Sequence, residues 1–346
     1  MIRQQYTETA LWQQGNGALL FHVFGLVSNR RGIVMAFAEA RLNDAGDAGC
    51  EHNIVMRRSV DDGEHFSESV ALIKGNGRCL ANPVPLYDAV TERIWLFFAV
   101  NYDNKACDLN YIYSDDGGNN WSDEKRLNYL SGDSKLPIPP FCLPGPGHGI
   151  QLAYGKYKDR LILPIWYRSY GTDVEIHERG YCIAYLYSDD HGENWSQSHL
   201  YGQSVMANET RMTETTEALV WTIRPWTPPL SRWSMRSCDG GDSWSEITQC
   251  MLPDANICDA GILTFHVDGV EKVLLSRISG VENRENMEIR ISLDHGETYQ
   301  SRYALPSGNA YPGYSDMALL EDTNRIALLH CRDGMVLFSR IHKSLL

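Results

Sequence analysis

SDDHGENW occupies Ser188–Trp195, and its pattern of Ser, Asp two residues later, Gly two after that and an aromatic at position eight returns four more times. The other copies are SVDDGEHF at Ser59–Phe66, SDDGGNNW at Ser114–Trp121, SCDGGDSW at Ser237–Trp244 and SLDHGETY at Ser292–Tyr299. One copy would be a tight turn, because Asp bonds its own backbone and Gly accepts positive φ. The closing aromatic is suited to tucking under such a turn. Each copy follows a strand-like run in rough polar–apolar alternation: NIVMRR, LNYIY, YCIAYLY, RWSMR and MEIRI. The copies start 55, 74, 49 and 55 residues apart. A spacing near fifty suits one four-stranded blade per repeat, so the sequence predicts an all-β, six-bladed β-propeller. The sixth blade combines N- and C-terminal strands, which closes the ring and protects its edges. The long step of 74 predicts an insertion, assigned to the Pro-rich stretch LPIPPFCLPGPGHG, Leu136–Gly149.

Composition agrees with one propeller domain over residues 1–346: 43% of residues are hydrophobic, enough for a core. No 18-residue apolar run suggests a membrane span. The opening MIRQQYTETALWQQG lacks the apolar segment of a secretion signal. Nine scattered cysteines, never spaced CxxC, argue against a disulfide frame or zinc site and for a reducing cytoplasm. The net charge of −13 argues against a nucleic-acid surface. No metal-ligand spacing, phosphate loop or nucleophile elbow appears, so no metal or cofactor is expected. The repeats are structural, and a site is expected from loops of different blades at the central channel. The sequence leaves the oligomeric state open.

Between the repeats lies a second set of motifs, in order: Gly32–Phe66 with Glu-Ala-Arg and then NDAGDAG, GHGIQL (Gly147–Leu152), NETRMTE (Asn208–Glu214), VENRENMEIRISLDHGETY (Val281–Tyr299) and GYSDMALL (Gly313–Leu320). Their order and content resemble the sialidase (neuraminidase) superfamily over nearly the whole chain. The resemblance implies a carbohydrate substrate and an exo-glycosidase acting on a terminal acidic sugar, a sialic acid or related nonulosonic acid. It makes Asp47 the acid/base that protonates the departing glycosidic oxygen. By composition alone Asp44 is equally eligible; the motif spacing favours Asp47. It makes Tyr314 the nucleophile and Glu209 the base that takes its proton, with Glu214 a competitor for that role. A neutral phenol suits an anomeric carbon that already bears a carboxylate, which would repel a second negative charge. Arg224 and Arg284 correspond to two carboxylate-binding arginines, and Arg41 to an arginine at the distal side of the sugar ring; a guanidinium binds carboxylates bidentately and stays charged.

One family feature is missing. The position of the first clamp arginine falls on His22, and that of its supporting glutamate on Cys331. The losses are coupled, since a buried glutamate without its arginine is an unpaired charge. Arg30 and Arg31 read as turn residues. His22 is expected to donate one hydrogen bond to a carboxylate, as a cation or neutral near neutral pH. Two other readings stand beside the hydrolase: a non-catalytic propeller that binds acidic glycans, and a glycosidase or lyase of uronic acids. His148 either lines the pocket or shapes the Gly-rich turn, Trp226 and Trp233 either wall the pocket or pack their loop, and His191 and His295 read as rim residues.

Overall fold

A computed structural model describes the chain except residues 1–4, 104–105, 130–140, 169–179, 227–230, 253–256, 307 and 309–312. Its strands form six sheets around one axis, and no α-helix occurs among the described residues. Strand β1 (Tyr6–Gln13) begins the chain. Blade one is β2 (Leu20–Ser28), β3 (Val34–Arg41), β4 (His52–Ser59) and β5 (Val70–Ile73); blade two is β6 (Leu80–Tyr87), β7 (Ile94–Val100), β8 (Asp108–Ser114) and β9 (Lys125–Arg126). Blade three holds β10 (Cys142–Pro144), β11 (Ile150–Gln151), β12 (Leu161–Arg168), β13 (Tyr181–Ser188) and β14 (Ser196–Gln197). Blade four is β15 (Thr210–Glu214), β16 (Leu219–Ile223), β17 (Trp233–Ser237) and β18 (Thr248–Gln249). Blade five is β19 (Gly261–Val267), β20 (Val270–Ile278), β21 (Met287–Ser292) and β22 (Ser301–Ala304). In blade six, β23 (Ser315–Leu319), β24 (Arg325–Arg332) and β25 (Met335–His342) are completed by β1, which pairs antiparallel with β25 from Tyr6↔Ile341 to Gln13↔Met335.

The second strand of several blades is buried on both faces, because neighbouring blades cover it on either side. This is why β7 reads IWLFFAV, a continuous apolar run with no alternation. The core accordingly lies between blades, as in the cluster of Leu96, Phe98 and Ile112 with Met35, Phe37 and Met56.

The five repeats share one hydrogen-bond scheme. In the third, Ser188 Oγ accepts the Gly192 N–H at 2.8 Å, and Asp190 Oδ1 accepts the Asn194 N–H at 2.9 Å while Oδ2 takes its side-chain amide. The other copies repeat this with Gly63, Gly118, Gly241 and Gly296. The aromatic does more than tuck under its own turn. Phe66 packs on Phe338 of blade six, Trp121 on Phe37 of blade one and Trp195 on Trp95 and Phe97 of blade two. Each repeat thus fastens its blade to the preceding one. The rim histidines act likewise: His191 Nδ1 bonds the buried Asp88 of blade two at 2.9 Å, and His295 Nε2 lies 3.3 Å from Glu217 of blade four.

The Pro-rich stretch is built into a blade. From Phe141 onward it forms β10 and a turn that continues into β11, both paired with β12, so the run supplies the innermost strand of blade three in two pieces. Leu136–Pro140 lie outside the described residues.

Candidate active site

The repeats all lie at one face of the ring, and the predicted site residues gather at the opposite face around the channel. Tyr314 immediately precedes β23 and Glu209 immediately precedes β15, so two inner strands carry them to the same rim. Tyr314 Oη donates to Glu209 Oε1, and Arg224 Nη1 donates to Glu209 Oε2. All three side chains are buried. Burial, and next the Glu209 charge, push the Tyr314 phenol well above its ordinary value, so the resting nucleophile candidate is protonated and neutral. Burial disfavours the charge on Arg224, but Glu209 more than offsets this and holds the guanidinium firmly protonated.

Across the channel, Arg41 at the end of β3 is also buried. Its Nε and Nη2 donate to Glu39 Oε2 at 3.0 and 2.8 Å, and Nη1 donates to Asp47 Oδ1 and to the Ala45 carbonyl, both at 2.7 Å. Asp47 is 75% exposed on its loop. Partial burial works to raise its pKa, but Arg41 outweighs that and draws the carboxyl below the usual range. Asp44 is turned into its own loop, capping the Gly46 N–H at 2.7 Å. Glu214 lies at the far end of β15 and accepts the Ala153 and Tyr154 N–H groups.

His22 enters the channel through a bulge. The β2–β3 register slips between His22 and Phe24, and Val23 takes φ 48, an outlying conformation for a β-branched residue. The His22 ring meets the Tyr314 ring edge-on, with centroids 4.6 Å apart and planes at 82°. Gly313 sits between His22 and Arg284: a Cβ there would stand 3.8 Å from His22 Cε1 and 3.9 Å from Arg284 Nη1. Burial, and then the Arg41 charge, with Arg284 and Arg224 adding to it, push His22 down to about 3. Such a His22 is a neutral imidazole, one of the two forms expected of it near neutral pH. Among the described residues Arg284 has no carboxylate partner. Arg31 pairs with Glu92 on exposed surface, and Arg30 is exposed as well. Cys331, on β24 of blade six, is half-buried against the core.

Two further side chains belong to the site: Glu39, which opens the Glu-Ala-Arg motif, and His52, which the sequence did not single out. Glu39 is buried, bonds Arg41 and accepts the Asn82 N–H of blade two at 2.7 Å. His52, wholly buried, has Nε2 3.1 Å from the Gly46 carbonyl and so anchors the Asp47 loop. Trp226 is 49% exposed beside Arg224 and packs on Tyr181 at 5.2 Å, while Trp233 packs into the core of blades three and four. No cluster of three or more metal-ligating residues occurs among the described residues, and no helix is long and apolar enough to cross a membrane.

The family model for the BNR repeat-like domain matches residues 32–331. The chain belongs to that family. This BNR propeller is sialidase-like: it is 26% identical to a sialidase of Bacteroides fragilis over 90% of its own length and 59% of the relative's. It is 27% identical to the anhydrosialidase of Macrobdella decora, over 63% of its length and 29% of that protein. The BNR chain thus spans only part of these curated relatives. Among solved structures, the Hadza microbial sialidase Hz136 superposes with a TM-score of 0.82 at 21% identity, covering 98% of this chain and 69% of that one. The intramolecular trans-sialidase of Ruminococcus gnavus gives 0.80 at 19% identity and covers 97% of both. At these identities the superpositions establish the shared fold.

Proposed function

We propose that this BNR propeller is an exo-glycosidase that removes a terminal acidic sugar, a sialic acid or related nonulosonic acid, with retention of configuration. The observation that carries the reading is the buried Tyr314–Glu209–Arg224 contact, beside an Arg284 that has no carboxylate partner among the described residues. Glu209 takes the phenolic proton as Tyr314 Oη bonds to the anomeric carbon and the glycosidic C–O bond breaks. Asp47 gives its proton to the leaving oxygen, then removes one from the water that cleaves the glycosyl–tyrosine bond and frees the phenol. Arg224 and Arg284 hold the sugar carboxylate, and Arg41 holds Asp47 until the sugar arrives. Because Arg41 keeps Asp47 ionised before the sugar binds, the acid form arises when substrate covers the carboxyl and desolvates it.

A non-catalytic glycan-binding propeller is the weaker reading, since binding alone has no use for a base hydrogen-bonded to a buried tyrosine. His22 in place of an arginine remodels one side of the carboxylate clamp: a neutral imidazole offers one hydrogen bond where a guanidinium offers a charged fork. His22→Arg is expected to raise cleavage of ordinary sialosides; no change would remove the altered-clamp idea. The deciding experiment screens aryl glycosides of sialic acid, other nonulosonic acids and uronic acids, with Tyr314→Phe as control and the anomer released read by NMR. Release that Tyr314→Phe abolishes supports the reading. Binding without release from any of them supports the lectin, and release from uronides alone supports the third class.

A further inference from the structure

One layer below the tyrosine and glutamate lies a buried cluster to which the chemistry above gives no part. Arg211 and Asp316 each stand two residues beyond a site residue, Glu209 and Tyr314, on inner strands where side chains two apart share a face. Arg211 Nε donates to Asp259 Oδ1 at 3.2 Å and its Nη2 donates to Asp259 Oδ2. Its Nη1 donates to Asp316 Oδ1 at 2.8 Å, and Nη2 also donates to the Ser315 carbonyl at 2.8 Å. The other Asp316 oxygen accepts the Leu26 N–H at 2.8 Å. His148 completes the set, with Nδ1 2.7 Å from Asp316 Oδ1. The backbone is shaped around the guanidinium: a Cβ on Gly147, at φ +88, would stand 1.5 Å from Arg211 Nη1.

Five blades meet here. His148 comes from blade three, Arg211 from four, Asp259 from the entry to five, Asp316 from six, and the Leu26 N–H from one. Arg211, Asp259 and Asp316 are buried, whereas the His148 side chain is 15% exposed. A buried ion cluster is weak evidence for stability, because apolar side chains of the same volume often serve as well. What it supplies is direction: a guanidinium bonded to two carboxylates and a carbonyl fixes how far β15 and β23 slide past one another. Those two strands deliver Glu209 and Tyr314.

We propose that Arg211, Asp259, Asp316 and His148 are positioning residues that keep Tyr314 in contact with Glu209. This rests on the reading of that pair as nucleophile and base. A displacement near 1 Å at such a pair lowers turnover by about a hundredfold, although binding of the sugar carboxylate elsewhere is untouched.

His148 is the member to perturb, because removing Arg211 or either aspartate leaves an uncompensated buried charge. In the full chain, His148→Ala is expected to lower kcat by about ten- to a hundredfold with KM changed less than about threefold and the melting temperature nearly unchanged. His148→Asn, whose amide can occupy the place of Nδ1–H, is expected to restore most of kcat. Crystal structures of the wild type and His148→Ala should show Tyr314 Oη withdrawn from Glu209 only in the variant. The proposal is overturned if His148→Ala keeps wild-type kcat and the same Tyr314–Glu209 contact, if kcat falls only in step with the folded fraction, or if asparagine does not rescue. A wild type that cleaves no glycoside in the panel defeats the functional reading instead, and the two crystal structures then decide the positioning claim alone.

Discussion

Replacing Gly192 with alanine tests whether the turn repeats join blades as well as turn the chain. Two costs arise together. Gly192 has φ +90, and a side chain in that region costs about 1–2 kcal/mol. The new Cβ would also stand 2.2 Å from Trp95 Cζ2 and 2.7 Å from Cη2 of blade two. Trp95 is buried, stacked on Phe97 at 5.9 Å and edge-on to Trp195 at 6.2 Å, so it has nowhere to retreat. Overpacking of that kind costs about 1–3 kcal/mol, for a total of about 2–5 kcal/mol. Gly269→Ala supplies the control. Its φ is +81, yet nothing lies within 4 Å of the added Cβ, so strain acts alone at about 1–2 kcal/mol. Urea unfolding of both variants, compared at equal m, isolates the contact between blades. Gly192→Ala should be the less stable by about 1–3 kcal/mol. Equal losses in the two variants would show that the repeat glycine serves its turn and nothing more.

Tyr314→Phe is expected to cut kcat by about a thousandfold or more while leaving inhibitor binding by calorimetry nearly unchanged, because only the reacting oxygen is lost. Asp47→Asn should abolish cleavage of natural linkages and spare aryl glycosides, whose leaving groups need little protonation; equal loss on both would remove Asp47 from the acid role. With Asp47 held ionised by Arg41, kcat/KM on natural linkages is expected to fall already as pH rises through values below the ordinary carboxylate range, which a pH profile reads directly. In blade six, burial works to raise the Glu8 pKa, but hydrogen bonds from His330, Tyr6 and Arg332 outweigh it and bring Glu8 down to about 2. A folded-state pKa below the unfolded value stabilises above the unfolded pKa. The contribution, on the order of 2–3 kcal/mol, is therefore fully present above about pH 5 and lost as pH falls toward 2. Glu8→Gln should lower the melting temperature at pH 7 and have little effect at pH 2.

The blades were legible because each repeat carries its whole instruction within eight residues: a serine, an aspartate and a glycine that close one turn locally. The site was legible only where short motifs carried a family resemblance, as for Tyr314, Glu209 and Arg224. Composition alone did not separate Asp47 from Asp44, and motif spacing favoured Asp47; in space Asp47 is the one that bonds Arg41, while Asp44 caps the Gly46 N–H. The floor cluster was not legible as a cluster, although His148, Arg211 and Asp316 lie within the motifs GHGIQL, NETRMTE and GYSDMALL. Arg211, Asp259, Asp316 and His148 come singly from four blades, and pairs such as Arg211 and Asp316 are 105 residues apart. The packing of repeat aromatics on the preceding blade was missed for the same reason: the turn is a local event, but its partner belongs to the previous repeat. The downward shift of His22 was also hidden, since burial in the folded channel sets it first and the Arg41, Arg284 and Arg224 charges add to it.

The pairing of Tyr6 with Ile341 has a consequence for the order of events during synthesis. Strand β1 is made before the rest of the propeller and gains its partner β25 only when almost all the other strands exist. At typical elongation rates that wait is on the order of a minute or less, with the edge of the first strand unpaired throughout. Asp47 and Arg41 belong to the first blade made, Tyr314 to the last. No partial chain holds both sides of the pocket, so the same closure that completes the ring also brings the proposed acid and nucleophile face to face for the first time.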